Sequence, residues 1–503
     1  MKRRFFVWVA ACILLFSLTL SLPSMPTTAQ GTAPTAAEPV RITVMTYNIL
    51  YGGDEIDYDQ MLEAIRVTDP DIIGLQEPMG NVWRIAADLG YPYGDERMHI
   101  ISKFPLLTPP DFDGSYTFIE VAPGQVMAMA NVHLTSDPYG PYLVRDGEPL
   151  DAVLALEQSL RLPEIGRYVE VLPNLVEMGY PVVWVGDFNS PSHLDWTPAA
   201  DEARDVIAYP VTWPVSSVIA QMGFIDTYRT AHPDPVARPG FTWTPALPPI
   251  VEPDEVPDRI DWVLAGGNVR VIDSAVVGEA ENPAIVDVVV DPYGSDHRAV
   301  ISTLEVVPAA PPTLAASERP YYTVGDPVTI RYSLPEGSFT LSVEGGSGDV
   351  DVFSASVNGH GAVTLPEGLA ADVYTVTVRA GGEDAPRNTV AASSFRVRSG
   401  DETPTIRVDG TQFLRNDVIR VEFADAPGNR LDWVGIYTAG DADLENYWLF
   451  RYTGAATDGT LMIGDTLDQY DGFPLEPGEY VARLMLDDDY ITLAESDPFT
   501  VGP

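Results

Sequence analysis

Apolar positions in the first part of the chain fall into short runs that switch between a two-residue and a helical period. The run "VRITVMTYNILYGG" alternates like a half-buried strand and stops at Asn48, ahead of two glycines. "YDQMLEAIRVTDP" puts Met61, Leu62 and Ile65 on one helical face, with Pro70 as the stop. "DIIGLQEP" predicts a buried strand ending at Glu77, and "QVMAMANVHL" another with Asn131 and His133 on one face. The segment 152–179 reads as helical, interrupted at Pro163. It leads into "PVVWVGDFNSPSHLDW", where a continuous apolar run gives way at Gly186 to polar side chains, placing Asp187 and Asn189 together at a strand end. In "DRIDWVL", Arg259 and Asp261 share one face, and "GSDHRAVISTLEV" sets Asp296 and His297 before a further strand. Strands alternating with helical segments predict a layered α/β domain over 40–307.

A Pro- and Ala-rich stretch at 308–318 reads as a semi-rigid linker. After it the pattern changes to short alternating runs separated by Gly, Pro and Asp, as expected for two Ig-like β-sandwiches at 319–399 and 403–503. In the second, Trp433, Ile436 and Tyr437 of "NRLDWVGIY" are expected to be core. Asp487, Asp488 and Asp489 are expected to form a solvated turn.

At 503 residues and 45% hydrophobic positions, the chain is long and apolar enough for several folded cores. The segment 1–29 begins with Lys2, Arg3 and Arg4, continues as an apolar run and ends in small residues, the pattern of an export signal. The protein is therefore expected to be secreted or held at the cell surface, an uncleaved membrane anchor being the alternative. Its single cysteine lies in that leader, so no disulfide or thiolate metal site is expected in the mature chain. Removing the leader takes the formal charge from −44 to −47. Such acidity disfavours long-range attraction of nucleic acid. It does not exclude hydrolysis of a nucleic acid, since bound cations reverse the local field.

The strand ends thus present carboxylate, amide and imidazole groups without thiols, a donor set suited to Mg²⁺ or Mn²⁺, with Ca²⁺ also possible. A phosphoester is the natural substrate, because its anionic oxygens need a cation and hydrogen-bond donors, and the attacking water needs an acceptor such as Asp187.

"MTYNI", "PDIIGLQE", "NVHL", "GDFNSP", "RIDWVL" and "SDHRAV", in this order, resemble the endonuclease/exonuclease/phosphatase superfamily of DNase I-like metallohydrolases. The resemblance implies a four-layered DNase I-like α/β sandwich, here followed by the two all-β domains. It implies Glu77 as principal metal ligand with Asn48 and Asp296 beside it, and His133 and Asn189 on the phosphate. Asp187 would orient or deprotonate the water, and His297 would stabilise developing charge, held by Asp261. "RIDW" with "SDHRAV" is similar to a bacterial group that includes nucleases, phosphodiesterases and sphingomyelinase-like enzymes. "NRLDWVGIY" resembles a signature of Ig-like domains attached to some phosphatases.

The expected function is a secreted, metal-dependent phosphodiesterase or phosphatase. A nuclease for extracellular DNA or RNA, a sphingomyelinase-like phospholipase and a catalytically silent binding protein remain as alternatives. Two long loops flank the chemistry, and from them Tyr139, Tyr142, His193 and Trp196 are candidate pocket walls, with Asp226 a further candidate for substrate binding. Trp243 is expected to pack. The ligand of the β-sandwiches is open, and a monomer is expected.

Overall fold

The computed structural model describes residues 38–110, 112–244, 255–279, 285–346, 351–381, 388–464 and 473–503. The leader expected at 1–29 lies outside the described residues. Among the described residues no helix is long and apolar enough to cross a membrane.

The strands of the α/β domain are β1 (Val40–Asn48), β2 (Ile72–Gln76), β3 (Tyr93–Asp95), β4 (Ile100–Ser102), β5 (Leu106–Leu107), β6 (Thr117–Ala122) and β7 (Gln125–His133). They continue as β8 (Val182–Asp187), β9 (Ile225–Asp226), β10 (Asp261–Gly266), β11 (Val269–Gly278), β12 (Val288–Val289) and β13 (Ala299–Val306). They form a seven-stranded sheet, β12-β11-β13-β1-β2-β4-β3, and a six-stranded sheet, β5-β6-β7-β8-β10-β9. Val44, Ile72 and Val300 of the first sheet share one buried core with Met127, Met129, Val183 and Val185 of the second, so the sheets pack face to face. A Cβ on Gly74 would run into Val185 across that interface.

Helices cover both outer faces. Met61, Leu62 and Ile65 of the helix Tyr58–Thr68 pack on Met45, Tyr47 and Leu75, as their spacing predicts. Tyr168, Leu172 and Leu175 of the helix Gly166–Glu177 pack on Val182 and Trp184 from the other side. Helix, sheet, sheet, helix is the four-layered DNase I-like sandwich. The helical stretch before β8 is three pieces, Leu150–Ser159, Arg161–Glu164 and Gly166–Glu177, with Pro163 inside the short middle one.

The stretch expected as a linker, 308–318, is instead built into the fold. Val126 and Ala309 exchange backbone hydrogen bonds, and Leu314–Ser317 pairs with Thr329–Ser333 as a buried strand of the first sandwich. Alanine has little side chain to bury, so its run carried no visible alternation. That sandwich sets a three-stranded sheet on a five-stranded one around Ile330, Leu341, Val376 and Phe395. The second pairs a three-stranded with a six-stranded sheet around Val421, Ile436, Ala482 and Leu484. Trp433, Ile436 and Tyr437 are core, as their spacing indicated.

Candidate active site

The cleft opens where β1, β2, β7, β8 and β10 end. β7 and β8 run parallel with His133 opposite Asp187, and β10 runs antiparallel to β8 with Asp261 opposite Asp187. Three sequence-distant residues therefore meet in one row. Gly186 makes the register possible: its φ is +153°, and a Cβ there would strike the Val132 carbonyl. On the other sheet β1 and β2 are parallel with Asn48 opposite Gln76, so Asn48 and Glu77 arrive together.

Asp187 is completely buried and held from several sides. Its Oδ1 accepts the Asn189 backbone N–H at 2.9 Å and its Oδ2 accepts Asn48 Nδ2 at 3.1 Å. The Nε2 atoms of His133 and His297 lie 3.7 and 3.6 Å from the same Oδ2. Glu77 Oε1 accepts Asn48 Nδ2 at 3.0 Å and lies 3.9 Å from His133 Nε2, while Oε2 accepts the Tyr51 N–H. Glu77 and Asn189 both sit at positive φ, 55° and 45°, a left-handed conformation that non-glycine residues adopt rarely and that aims both side chains into the cleft.

His297 Nδ1 is bonded to Asp261 Oδ2 at 2.9 Å, and both residues are buried. Burial opposes the imidazolium, but Asp261, Asp187 and Asp296 outweigh it and raise the imidazole well above its ordinary value. Asp296 is pushed up to about 6, first by burial, with Glu77 and Asp187 adding to the rise and His297 opposing it.

A cleft of about 210 Å³ gathers Glu77, His133, Asp187, Asn189, Asp296 and His297. Among the described residues its lining contains four carboxylates, counting Asp137, and two imidazoles, with no lysine or arginine. Oxygen donors left without a guanidinium or ammonium partner fit a hard divalent cation. Asp187, Asp261 and His297 bring ligand atoms within 4.8 Å of one another, and the Asp261–His297 hydrogen bond occupies only His297 Nδ1 and Asp261 Oδ2. Glu77 and Asp296 add two further carboxylates to the same cleft.

Asn48 bridges the two sheets at the cleft. Its Oδ1 accepts the Leu50 N–H at 3.1 Å and its Nδ2 donates to Glu77 and Asp187, so it aligns two carboxylates. Asn189 likewise spends its Nδ2 on the Leu134 carbonyl while lining the cleft.

Of the expected walls, Tyr139 and Tyr142 line the cleft. Three candidates do not. Trp196 is buried, donating Nε1 to Asp258 at 2.8 Å. His193 and Asp226 line a separate cavity of about 260 Å³. There His193 is tied to Ser216, and Asp226 caps the helix Thr227–Ala231 and accepts Arg259 Nη2 at 2.7 Å. A loop's nearness in sequence to a catalytic block does not fix which way its side chains turn. Trp243, expected to pack, is a wall of the cleft with its ring 5.0 Å from that of His297. Tyr51 also lines it and was missed, although it directly follows the block that carries Asn48.

The chain is thus a layered α/β sandwich of DNase I-like fold whose strand ends bring carboxylates and imidazoles together in one cleft. Residues 45–297, just over half of the chain, match the Endonuclease/Exonuclease/phosphatase family, and the chain is a member of it. A Caenorhabditis elegans protein, "Uncharacterized protein F14F9.5", is 28% identical over 293 residues, which is 52% of this chain and 90% of that one. Among solved structures, an endonuclease/exonuclease/phosphatase from Beutenbergia cavernae is 15% identical, covering 71% of this chain and 99% of its own with a TM-score of 0.32. An AP endonuclease from Archaeoglobus fulgidus is 17% identical, covering 52% and 98% with a TM-score of 0.33.

Proposed function

We propose that the chain is a divalent-metal-dependent phosphodiesterase or phosphatase that cleaves a P–O bond by attack of water. The observation that carries this reading is the convergence of Glu77, Asp187 and Asp296 with two imidazoles in one cleft that holds no lysine or arginine. Glu77 and Asp296 would hold Mg²⁺ or Mn²⁺, which supplies Lewis-acid neutralisation of phosphate charge when bound. Asp187, buried and fixed by Asn48 and Asn189, orients the water and accepts its proton. His133 donates to a phosphate oxygen beside it, and Asn189 completes that contact. His297 is kept protonated by Asp261 and stabilises charge as the bond to the leaving oxygen breaks.

For substrate, a space of about 210 Å³ walled by Tyr139, Tyr142 and Trp243 suits one phosphate with a ring-sized substituent. The formal charge of −44 favours a small phosphoester or a lipid headgroup over duplex DNA. The leader pattern at 1–29 supports work outside the cytoplasm.

Hydrolysis of bis-p-nitrophenyl phosphate with Mg²⁺ or Mn²⁺ tests the reading. Turnover that requires the metal and is lost in Asp187→Ala is expected. No metal-dependent turnover above that variant would overturn it. Plasmid DNA, RNA, sphingomyelin and p-nitrophenyl phosphate compared side by side then assign the substrate class.

A further inference from the structure

The acidic run 487–489 is not a solvated turn. Asp487 is 1% exposed, and its carboxylate crosses from the terminal β-sandwich into the α/β domain. Its Oδ2 accepts the Gly80 N–H at 2.8 Å, and Oδ1 accepts His99 Nε2 at 3.0 Å and the Leu431 N–H at 3.2 Å. Gly80 lies three residues beyond Glu77 on a loop whose backbone is already left-handed at Glu77 and Met79. The His99 carbonyl in turn accepts the Leu75 N–H at 2.8 Å and Asn131 Nδ2 at 3.1 Å. One carboxylate therefore fixes both the Glu77 loop and the segment beneath β7.

Arg430, just before the core strand of the same sandwich, reaches the other side of the site. Its Nη1 donates to the Asn131 carbonyl at 2.6 Å, two residues before His133, and its Nη2 donates to the Tyr168 hydroxyl. β6 pairs with β7 only as far as Met129, so the end of β7 that carries His133 lacks a strand neighbour on that edge. A cavity of about 20 Å³ beside this contact is lined by His99, Asn131, His133, Arg430 and Leu431, room for no more than about one water.

We propose that the terminal β-sandwich is a structural part of the active site, with Arg430 and Asp487 as positioning residues. Arg430 holds the His133 end of β7, and Asp487 holds the Glu77 loop. The inference rests on the phosphoesterase reading for its kinetic consequence, but its structural content stands apart from turnover. A carboxylate or imidazole displaced by a fraction of an ångström loses much of its effect on the reacting phosphate.

The test uses the full chain, with Arg430→Ala, Arg430→Lys and Asp487→Asn, read by amide hydrogen exchange and by kinetics on bis-p-nitrophenyl phosphate. In Arg430→Ala, amides at 131–135 are expected to exchange about tenfold faster, and in Asp487→Asn those at 79–81, with the amides of β10 unchanged in both. Each variant is expected to lower kcat about tenfold with KM within about twofold, and Arg430→Lys to recover most of the loss. Unchanged exchange in both segments, or faster exchange with unchanged kcat, would overturn the proposal. If the wild type hydrolyses no phosphoester, the functional reading has failed and the exchange data alone decide whether the sandwich holds the site. Should a variant unfold, Tyr168→Phe, which removes one acceptor of Arg430, supplies the same exchange readout at 131–135.

Discussion

Asp195 is buried about as deeply as Asp296, yet the two carboxylates are neutralised in opposite ways. Asp195 is paired with Arg229 and Arg259, and Asp226 beside it also accepts Arg259. The same device recurs where Glu157 meets Arg161 and Glu279 meets Arg298. In the cleft, the neighbours of Glu77, Asp187 and Asp296 are imidazoles, amides and the Ser295 hydroxyl, and Asp296 is pushed up to about 6. Burying a carboxylate is costly unless it is paired, and here the pairing differs: arginines meet Asp195, whereas His297 is the cation nearest Asp187 and Asp296. The first cluster is closed by arginines, and the second is the one the proposed cation would complete.

The comparison is sharpest where substitution separates activity from stability. Asp187→Asn is expected to lower kcat/KM by about 10³-fold while leaving the thermal midpoint unchanged or higher, because it removes proton acceptance and also relieves repulsion. A lowered midpoint with intact turnover would make the cleft a structural cluster too. Arg259→Ala is expected to do the reverse, lowering stability by about 3–5 kcal/mol in urea unfolding, because Asp195 and Asp226 keep their burial and lose a shared partner. A loss near zero would remove the contrast from the other side.

Divalent cations should distinguish the clusters without mutation. Mg²⁺ or Mn²⁺ at a hundred times its dissociation constant should stabilise the wild type by about 2.7 kcal/mol in a thermal scan. The gain should vanish in Glu77→Gln and persist when Asp226 is replaced by Asn.

The smallest expected effect concerns the domain contact. Burial would raise the Asp487 carboxyl, but His99 and the N–H groups around it outweigh burial and lower it from 3.8. A depressed folded value contributes stability that is present above the unfolded value and lost as pH falls through the folded one. The wild type should therefore lose this contribution below about pH 4, and Asp487→Asn should lack that part of the acid dependence in urea unfolding. Identical pH profiles for the two proteins would show that the Asp487 carboxylate contacts add nothing.

Much of the site was legible because it follows from local periodicity. A continuous apolar run ending at Gly186 places Asp187 at a strand end whatever the rest of the chain does, and the two-residue period carries His133 and Asp261 similarly. Wall residues were less legible. Tyr139 and Trp196 both sit in aromatic loops beside catalytic blocks, but Trp196 turns inward to Asp258 and Trp243 turns outward over His297. No residue spacing encodes that choice, since it is made by the partners each ring finds. The same holds for 308–318, whose composition suggested a linker although its backbone pairs with the fold on both sides.

By itself the sequence determined the strands, the order of the chemical blocks and the oxygen-and-imidazole donor set, because each depends on residues within a few positions of one another. The tertiary structure alone decided which buried charges receive an arginine and which do not. It also decided that Arg430 and Asp487 reach Asn131 and Gly80 across separations of 299 and 407 residues. Such contacts leave no periodic trace. They exist only after the layers have packed and the chain entropy of bringing distant segments together has been met by burial elsewhere.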